Sequence, residues 1–202
     1  MCIRDSINEM HEHYALSLWI SFEGEFHFET EQQSGSGRAA IVPPNLRHRL
    51  EAPDCHMAVI QVDPDAKDYR SLLRLAETGR IQELASAAFD PHLAALRSLL
   101  DGGGCLRARK TFEAVLAAAL HGLPRVDKAL DGRIEKVLIE WKRELPDQVS
   151  IESVARGVKL SATRFMHLFK QEMGLPVRRY LLWLRTNRAV RLLKEMCIRD
   201  RV

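Results

Sequence analysis

The sequence predicts an α+β protein: a small antiparallel β-barrel, then a set of helices, then an all-helical second domain. Three observations carry this. Up to about Asp63, apolar and polar residues alternate in short runs bounded by turn residues, as they do in half-buried strands. From Tyr69 onward the apolar period becomes 3.6, that of helices packed on one face. The charge also divides. Residues 131–195 hold 14 Lys/Arg against 8 Asp/Glu, whereas residues 1–130 hold 14 against 18, so only the second part is suited to a polyanion. With 202 residues, 46% hydrophobic and 28% charged, the chain can bury a core and is neither disordered nor fibrous in type.

The elements follow in order. The pentapeptide Met-Cys-Ile-Arg-Asp stands at residues 1–5 and again at 196–200, with nothing similar around either copy. It reads as an adaptor-derived scar, so residues 1–6 and 196–202 are expected to be foreign to the fold. Residues 16–22 alternate and stop at Glu23-Gly24; residues 26–28 form a second run; residues 32–37 are a Ser/Gly turn cluster. Residues 39–42 form a third run, stopped by Pro43-Pro44-Asn45, and residues 57–62 a fourth, stopped by Asp63-Pro64. Short strands at this spacing predict a barrel or sandwich over residues 7–66.

Residues 67–125 read as a helical connector, suited to packing on the barrel or to dimerisation. Helices are expected at 69–77, at 91–100 before three consecutive glycines, and at 107–120, where Phe112, Val115, Leu116, Ala119 and Leu120 make one stripe. The periodicity breaks at residues 126–132, the expected domain boundary. Beyond it Ile134, Val137, Leu138, Trp141 and Leu145 form a stripe closed by Pro146. Ser150 is placed to cap a short helix at 151–156, and Ser161 to cap Ala162–Met173, with Gly174 at its end. A long helix is expected at 177–194, its apolar face made by Leu181, Leu182, Ala189, Leu192 and Leu193, with Tyr180, Trp183 and Leu184 on other sides.

The two short helices, separated by residues 157–160, carry the chemistry. The second turns Phe165, Leu168 and Phe169 one way and Thr163, Met166, His167 and Lys170 the other, with Arg164 beside them. That is the layout of a recognition helix, in which aromatic residues fix the helix to its scaffold while polar and basic residues meet base edges. Periodicity alone favours a solvated amphipathic helix. From Ser161 to Glu195 there are 8 Lys/Arg and 2 Asp/Glu, which favours a phosphate backbone as partner.

Three stretches carry a family resemblance: Ser150-Ile-Glu-Ser-Val-Ala155; Leu160-Ser-Ala-Thr-Arg-Phe-Met-His-Leu-Phe-Lys170; and Gly174-Leu-Pro-Val-Arg-Arg-Tyr-Leu-Leu-Trp-Leu-Arg185. Together they resemble the first helix-turn-helix of AraC/XylS-type transcription regulators, and residues 188–193 look like the end of that family's linker helix. The resemblance implies a sequence-specific regulator that binds double-stranded promoter DNA, with residues 131–195 as a partial DNA-binding domain ending before a second helix-turn-helix. It implies base contacts from Thr163, Arg164, Met166, His167 and Lys170, and phosphate contacts from Arg178, Arg179, Arg185 and Arg188. It also implies a small-molecule effector, a homodimer and a cytoplasmic location. The chain departs from the family at His167, where many members have Arg, and at Lys159, where many have Gly; a lysine in a left-handed turn costs about 1 kcal/mol.

The strand-rich half has its own candidate site. His11-Glu12-His13 puts two histidines on one strand face, and Pro43-Pro44-Asn45-Leu46-Arg47-His48 supplies a third after a turn. These resemble the two histidine motifs of cupin barrels, which implies an effector pocket at His11, His13 and His48. The glutamate of cupin enzymes is missing, since Ser17 and Leu18 occupy its usual spacing; a three-histidine metal site with an open position for a small ligand stays an alternative, and the favoured reading is a metal-free pocket with no cofactor. Asn45 replaces the usual turn glycine, tolerably, because Asn accepts a left-handed backbone. His27, His56, His92 and His121 stand alone. Cys55 and Cys105, outside the scars, show neither disulfide nor zinc spacing and fit a reducing compartment. No apolar run reaches membrane-spanning length, and no phosphate loop or nucleophile elbow occurs. The chain reads as no enzyme; the alternatives are a metal-dependent cupin enzyme and a ligand-binding module that does not bind DNA.

Overall fold

The computed structural model describes residues 2–64, 66, 68–76, 79–100, 105–121 and 130–199, and the chain divides into two units, Met1–Val126 and Asp127–Val202.

The first unit is built on one long strand. In chain order its strands are β1 (Cys2–Ile7), β2 (Leu16–Glu23), β3 (Phe26–Thr30), β4 (Ser34–Gly37), β5 (Ala39–Val42), β6 (His48–Val62) and β7 (Gln82–Glu83). They form a single antiparallel, barrel-like sheet in the order β4-β3-β6-β2-β5-β7, with β1 also paired to β6. β3 pairs the first residues of β6 and β2 the last, so the β2–β3 hairpin follows β6 around its bend. Gly24 makes that hairpin's turn at φ +73, and a Cβ there would come within 2.8 Å of the Asp54 carbonyl. Trp19, Phe26, Phe28, Leu50, Met57 and Val59 fill the interior.

Expectation and structure part at four places in this unit. The run at residues 57–62 is only the end of β6. Pro53-Asp54 is an irregularity inside a continuous strand, with Asp54 at φ +51. The Ser/Gly cluster is partly a strand, β4, because its small residues let the backbone lie on the Phe28 ring; a Cβ on Gly35 would come 2.6 Å from that ring. The backbone of residues 2–6, set aside as foreign, pairs with β6. Finally, β2 is buried on both faces: Leu16, Leu18 and Ile20 are covered, while Ser17 and Ser21 face inward beside Trp19.

Three helices complete the unit: α1 (Tyr69–Leu75), α2 (Asp90–Leu100) and α3 (Cys105–Ala119). α1 packs on β2 through the fully buried Tyr69 and Leu72, and α2 packs on α3. Within the expected stripe of α3, Val115, Ala119 and Leu120 are buried, but Phe112 is 39% exposed. The side chain of Cys105 lies outside the described residues; Cys55 is a buried thiol whose Sγ lies 3.5 Å from Ser21 Oγ.

The second unit consists of α4 (Gly132–Arg143), α5 (Ile151–Gly157), α6 (Ala162–Met173) and α7 (Val177–Arg199). Ile134, Val137, Leu138 and Trp141 of α4 are buried, while Leu145 lies beyond the helix and is half-buried. The packing centre is aromatic. Phe169 lies 6.0 Å from Trp141 and 5.4 Å from Tyr180, and Tyr180 lies 5.4 Å from Trp183, measured between ring centroids. The expected face of α7 is therefore rotated. Val177, Tyr180 and Leu181, spaced i, i+3 and i+4, are buried, whereas Leu182 and Leu192 are exposed. Among the described residues, no helix is long and apolar enough to cross a membrane.

Candidate functional site

The helix pair α5–α6 is held by its caps and its turn. Ser150 Oγ accepts from the Ser153 amide and Ser161 Oγ from the Arg164 amide, each at 3.3 Å. Between the helices Lys159 sits at φ +57, the left-handed conformation anticipated from the sequence. Gly174 ends α6 at φ +71, and its amide donates to the Lys170 carbonyl. Phe165, Leu168, Phe169 and Met173 are buried on the inner side of α6. Thr163, Arg164, Met166, His167 and Lys170 are all exposed.

Charge reinforces the division. Of the two acids between Ser161 and Glu195, Glu172 is turned inward and buried, and its carboxylate accepts from the Asp131 amide at 3.4 Å. Its burial leaves the exposed side of α6 with cationic and neutral groups. The four expected phosphate contacts divide in two. Arg178 and Arg188 are exposed; Arg179 is half-buried; Arg185 donates to the carbonyls of Pro146 (3.2 Å) and Asp147 (2.9 Å), tying α7 to the segment that precedes α5. That tie is a second role for Arg185, which its charge alone did not signal.

In the first unit the structure brings the three expected histidines together. The segment after β1 runs beside the start of β6: the His11 amide donates to the His48 carbonyl (2.9 Å) and the His48 amide to the His11 carbonyl (2.8 Å). The turn at Asn45, φ +62, closes over this segment, its amide donating to the His13 carbonyl at 2.7 Å. One ligand atom from each ring lies within 4.8 Å of those from the other two.

The ring hydrogen bonds fix the tautomers. Nδ1–H of His11 donates to the Glu9 carbonyl at 2.7 Å, and Nδ1–H of His48 to the Leu46 carbonyl at 2.8 Å. A neutral ring that donates from Nδ1 presents a lone pair at Nε2. His11 Nε2 lies 3.0 Å from His13 Nε2, and His48 Nε2, buried against Trp19, has no hydrogen-bond partner among the described residues. Burial pushes the pKa of His48 down to about 4 against the raising effect of its Leu46 bond, and its two histidine neighbours lower it further; burial and His11 also lower that of His13. The lone histidines remain separate from this group, with His56 lying 3.8 Å from Glu23.

Sequence reasoning missed one further cavity. The end of β6 (Ala58–Asp63) together with Leu96, Leu99, Ala108, Phe112 and Leu116 encloses an apolar groove of about 800 Å³, with Arg109 and Glu113 paired at its edge. No sequence signal marked it, because Phe112 reads as one residue of an apolar stripe and its 39% exposure is seen only in the fold.

No protein-family model matches the chain, and no curated protein sequence matches it. Solved structures do. An apo ToxT variant from Vibrio cholerae strain SCE256 is similar over 94% of this chain and 79% of its own, at 9% identity and a TM-score of 0.57. ToxT from Vibrio cholerae O395 is similar over 94% and 77%, at 10% identity and a TM-score of 0.50. The AraC-like transcriptional activator CuxR matches over 88% and 68%, at 13% identity and a TM-score of 0.46. At these identities the likeness is one of fold.

Proposed function

We propose that this chain is a transcription regulator of the AraC/XylS type and not an enzyme. Residues 131–195 act as a partial DNA-binding domain in which α5 and α6 form the helix-turn-helix. Thr163, Arg164, Met166, His167 and Lys170 meet base edges in the major groove of double-stranded DNA, while Arg178, Arg179, Arg185 and Arg188 lie along the phosphates. The observation that carries this reading is the two-sidedness of α6: all five residues assigned to bases are exposed, and the opposite face is the aromatic core. The family resemblance in the sequence and the fold shared with ToxT point the same way.

Residues 7–66 form a cupin-like sensor, in this reading, and a small-molecule effector binds at His11, His13 and His48. Residues 67–125 connect the sensor to the DNA-binding part and offer a dimer contact; the regulator works in the cytoplasm. Regulation requires that the effector bind two states of the protein with different affinity, because equal affinity shifts no equilibrium.

The test is selection of duplexes from a random pool by the purified chain. The expected result is enrichment of a defined sequence whose preferred bases change in the Met166→Ala and His167→Ala variants. Recovery of an unenriched pool, or variants that weaken every duplex equally, overturns the assignment of α6.

A further inference from the structure

We propose that the apolar groove between the end of β6 and the α2–α3 pair binds an uncharged, predominantly apolar small molecule. The site lies outside the barrel and goes beyond the sensor reading, since it uses none of the residues assigned to the effector.

The groove follows from the pattern of the sheet. In β6, Ala58, Ile60 and Val62 share one face by alternation, and their partners Ile20, Leu18 and Leu16 on β2 continue that face across the pair. All six are apolar, so this outer face needs cover. Over β2 the cover is α1, through the fully buried Tyr69 and Leu72. Over β6 it is incomplete: Val62 and Leu96 are buried, but Ile60, Leu99 and Leu116 are half-buried and Phe112 is exposed. α3 turns Ala108, Phe112 and Leu116, spaced i, i+4 and i+8, to this space. The helices stand over the strand without closing on it, and about 800 Å³ remains between them.

Size and charge select the occupant. Small-molecule sites are concave, mostly apolar and roughly 300–1,000 Å³ in volume, and the groove falls inside that range. Of its large apolar side chains, Phe112 alone is exposed, which is too little for a protein interface, whose centre is built from several such anchors. At the rim Arg109 donates to Glu113 at 2.8 Å, so guanidinium and carboxylate satisfy each other. Asp63 adds a second carboxylate to the lining. An anionic head group would have to displace Glu113 and would meet two carboxylates against one guanidinium. An uncharged molecule leaves the pair intact and gains from the apolar surface that both sides remove from water.

The experiment titrates N-phenyl-1-naphthylamine, an uncharged fluorophore that brightens in apolar surroundings, into the full chain. Saturable binding of one equivalent is expected. Ala108→Trp fills the groove from a half-buried position on α3 and should weaken the probe at least about tenfold; Phe112→Ala removes the exposed ring and should weaken it about threefold or more. Phe112→Ala, at an exposed position, decides the matter if Ala108→Trp does not fold. Leu182→Gln, at an exposed apolar position on α7, is the control and should bind as the wild type does. Decanol should displace the probe, and decanoate should need at least about tenfold more. Absence of saturable binding, or binding unchanged in both groove variants, overturns the site, and so does loss of binding in Leu182→Gln alone. Decanoate acting at the same concentration as decanol overturns the uncharged class. A wild-type dimer that Ala108→Trp splits, seen by sedimentation, overturns the small molecule in favour of a second copy.

Discussion

Replacing Arg178 by alanine tests where the duplex lies. Each phosphate neutralised by a lysine or arginine releases condensed counterions, so the logarithm of affinity falls linearly with the logarithm of salt concentration, with a slope of about −0.9 per contact. Of the four arginines set along the phosphates, Arg178 and Arg188 are exposed, Arg179 is half-buried and Arg185 is also bonded to the carbonyls of Pro146 and Asp147. Counting all four gives an expected slope of about −3.6, reduced to about −2.7 in Arg178→Ala. Between about 50 and 200 mM salt the wild type should lose about 150-fold in affinity and the variant about 40-fold. Fluorescence anisotropy with a labelled duplex reads both. Lys110→Ala, which removes an exposed charge on α3, is the control and should leave the slope unchanged. An Arg178→Ala slope equal to the wild type, or an equal fall in Lys110→Ala, refutes the placement of the phosphate backbone along α7.

Three further outcomes follow from the packing and the backbone. Phe169→Ala removes a fully buried ring between Trp141, Phe165 and Tyr180 and should cost about 3–5 kcal/mol; in urea denaturation the second unit should unfold early and duplex binding should be lost with it. Lys159→Gly relieves the left-handed backbone at φ +57 and should stabilise the same unit by up to about 1 kcal/mol, seen as a higher urea midpoint without a change in slope. For His48 the folded pKa, about 4, lies below the unfolded 6.5, so the unfolded chain binds more protons in between. Its contribution is fully present above pH 6.5 and declines as pH falls, by up to about 3 kcal/mol at pH 4. The lowered pKa of His13 acts with the same sign. Metal-free denaturation midpoints from pH 7 to 4 check this, and a profile identical to that of His48→Gln would count against a buried neutral ring.

The elements that were legible in the sequence are those whose signals are local. The bounds of α6 follow from a capping serine, a 3.6 period and a terminal glycine, and these bring Thr163, Met166, His167 and Lys170 to one side without reference to the rest of the chain. The histidine group was legible for a related reason: His11 and His13 share a face by alternation, and the Pro-Pro-Asn turn returns the chain to present His48. What was not legible depended on distant partners. Pro53-Asp54 breaks an isolated strand, but within β6 it is carried by β1 and β2 on either side of the irregularity. Tyr180 looks like one apolar residue among many on α7 until Trp141 and Phe169 decide which side faces inward. The charge of Arg185 is visible in the sequence, but the two carbonyls it serves, 38 and 39 residues earlier, are not.

Polar satisfaction shows the same limit from inside the barrel. Ser17 and Ser21 occupy the polar positions of an alternating strand, which by pattern alone face solvent. Both are buried, because β2 has its other face under α1 and turns these two positions into the interior with Trp19. Ser21 donates to the carbonyls of Glu23 and Gly24 and so closes its own turn. Ser17 Oγ and His48 Nε2 are the two buried side-chain atoms left without a partner among the described residues. Leaving such an atom unsatisfied costs about 1–3 kcal/mol, more than most surface contacts contribute. The histidine comes as one of three converging rings, and its orphaned lone pair is best explained by a ligand that the chain itself lacks. Ser17 lies on the interior face of β2, and its hydroxyl is neutral. The histidine group therefore presents lone pairs with no carboxylate among its members.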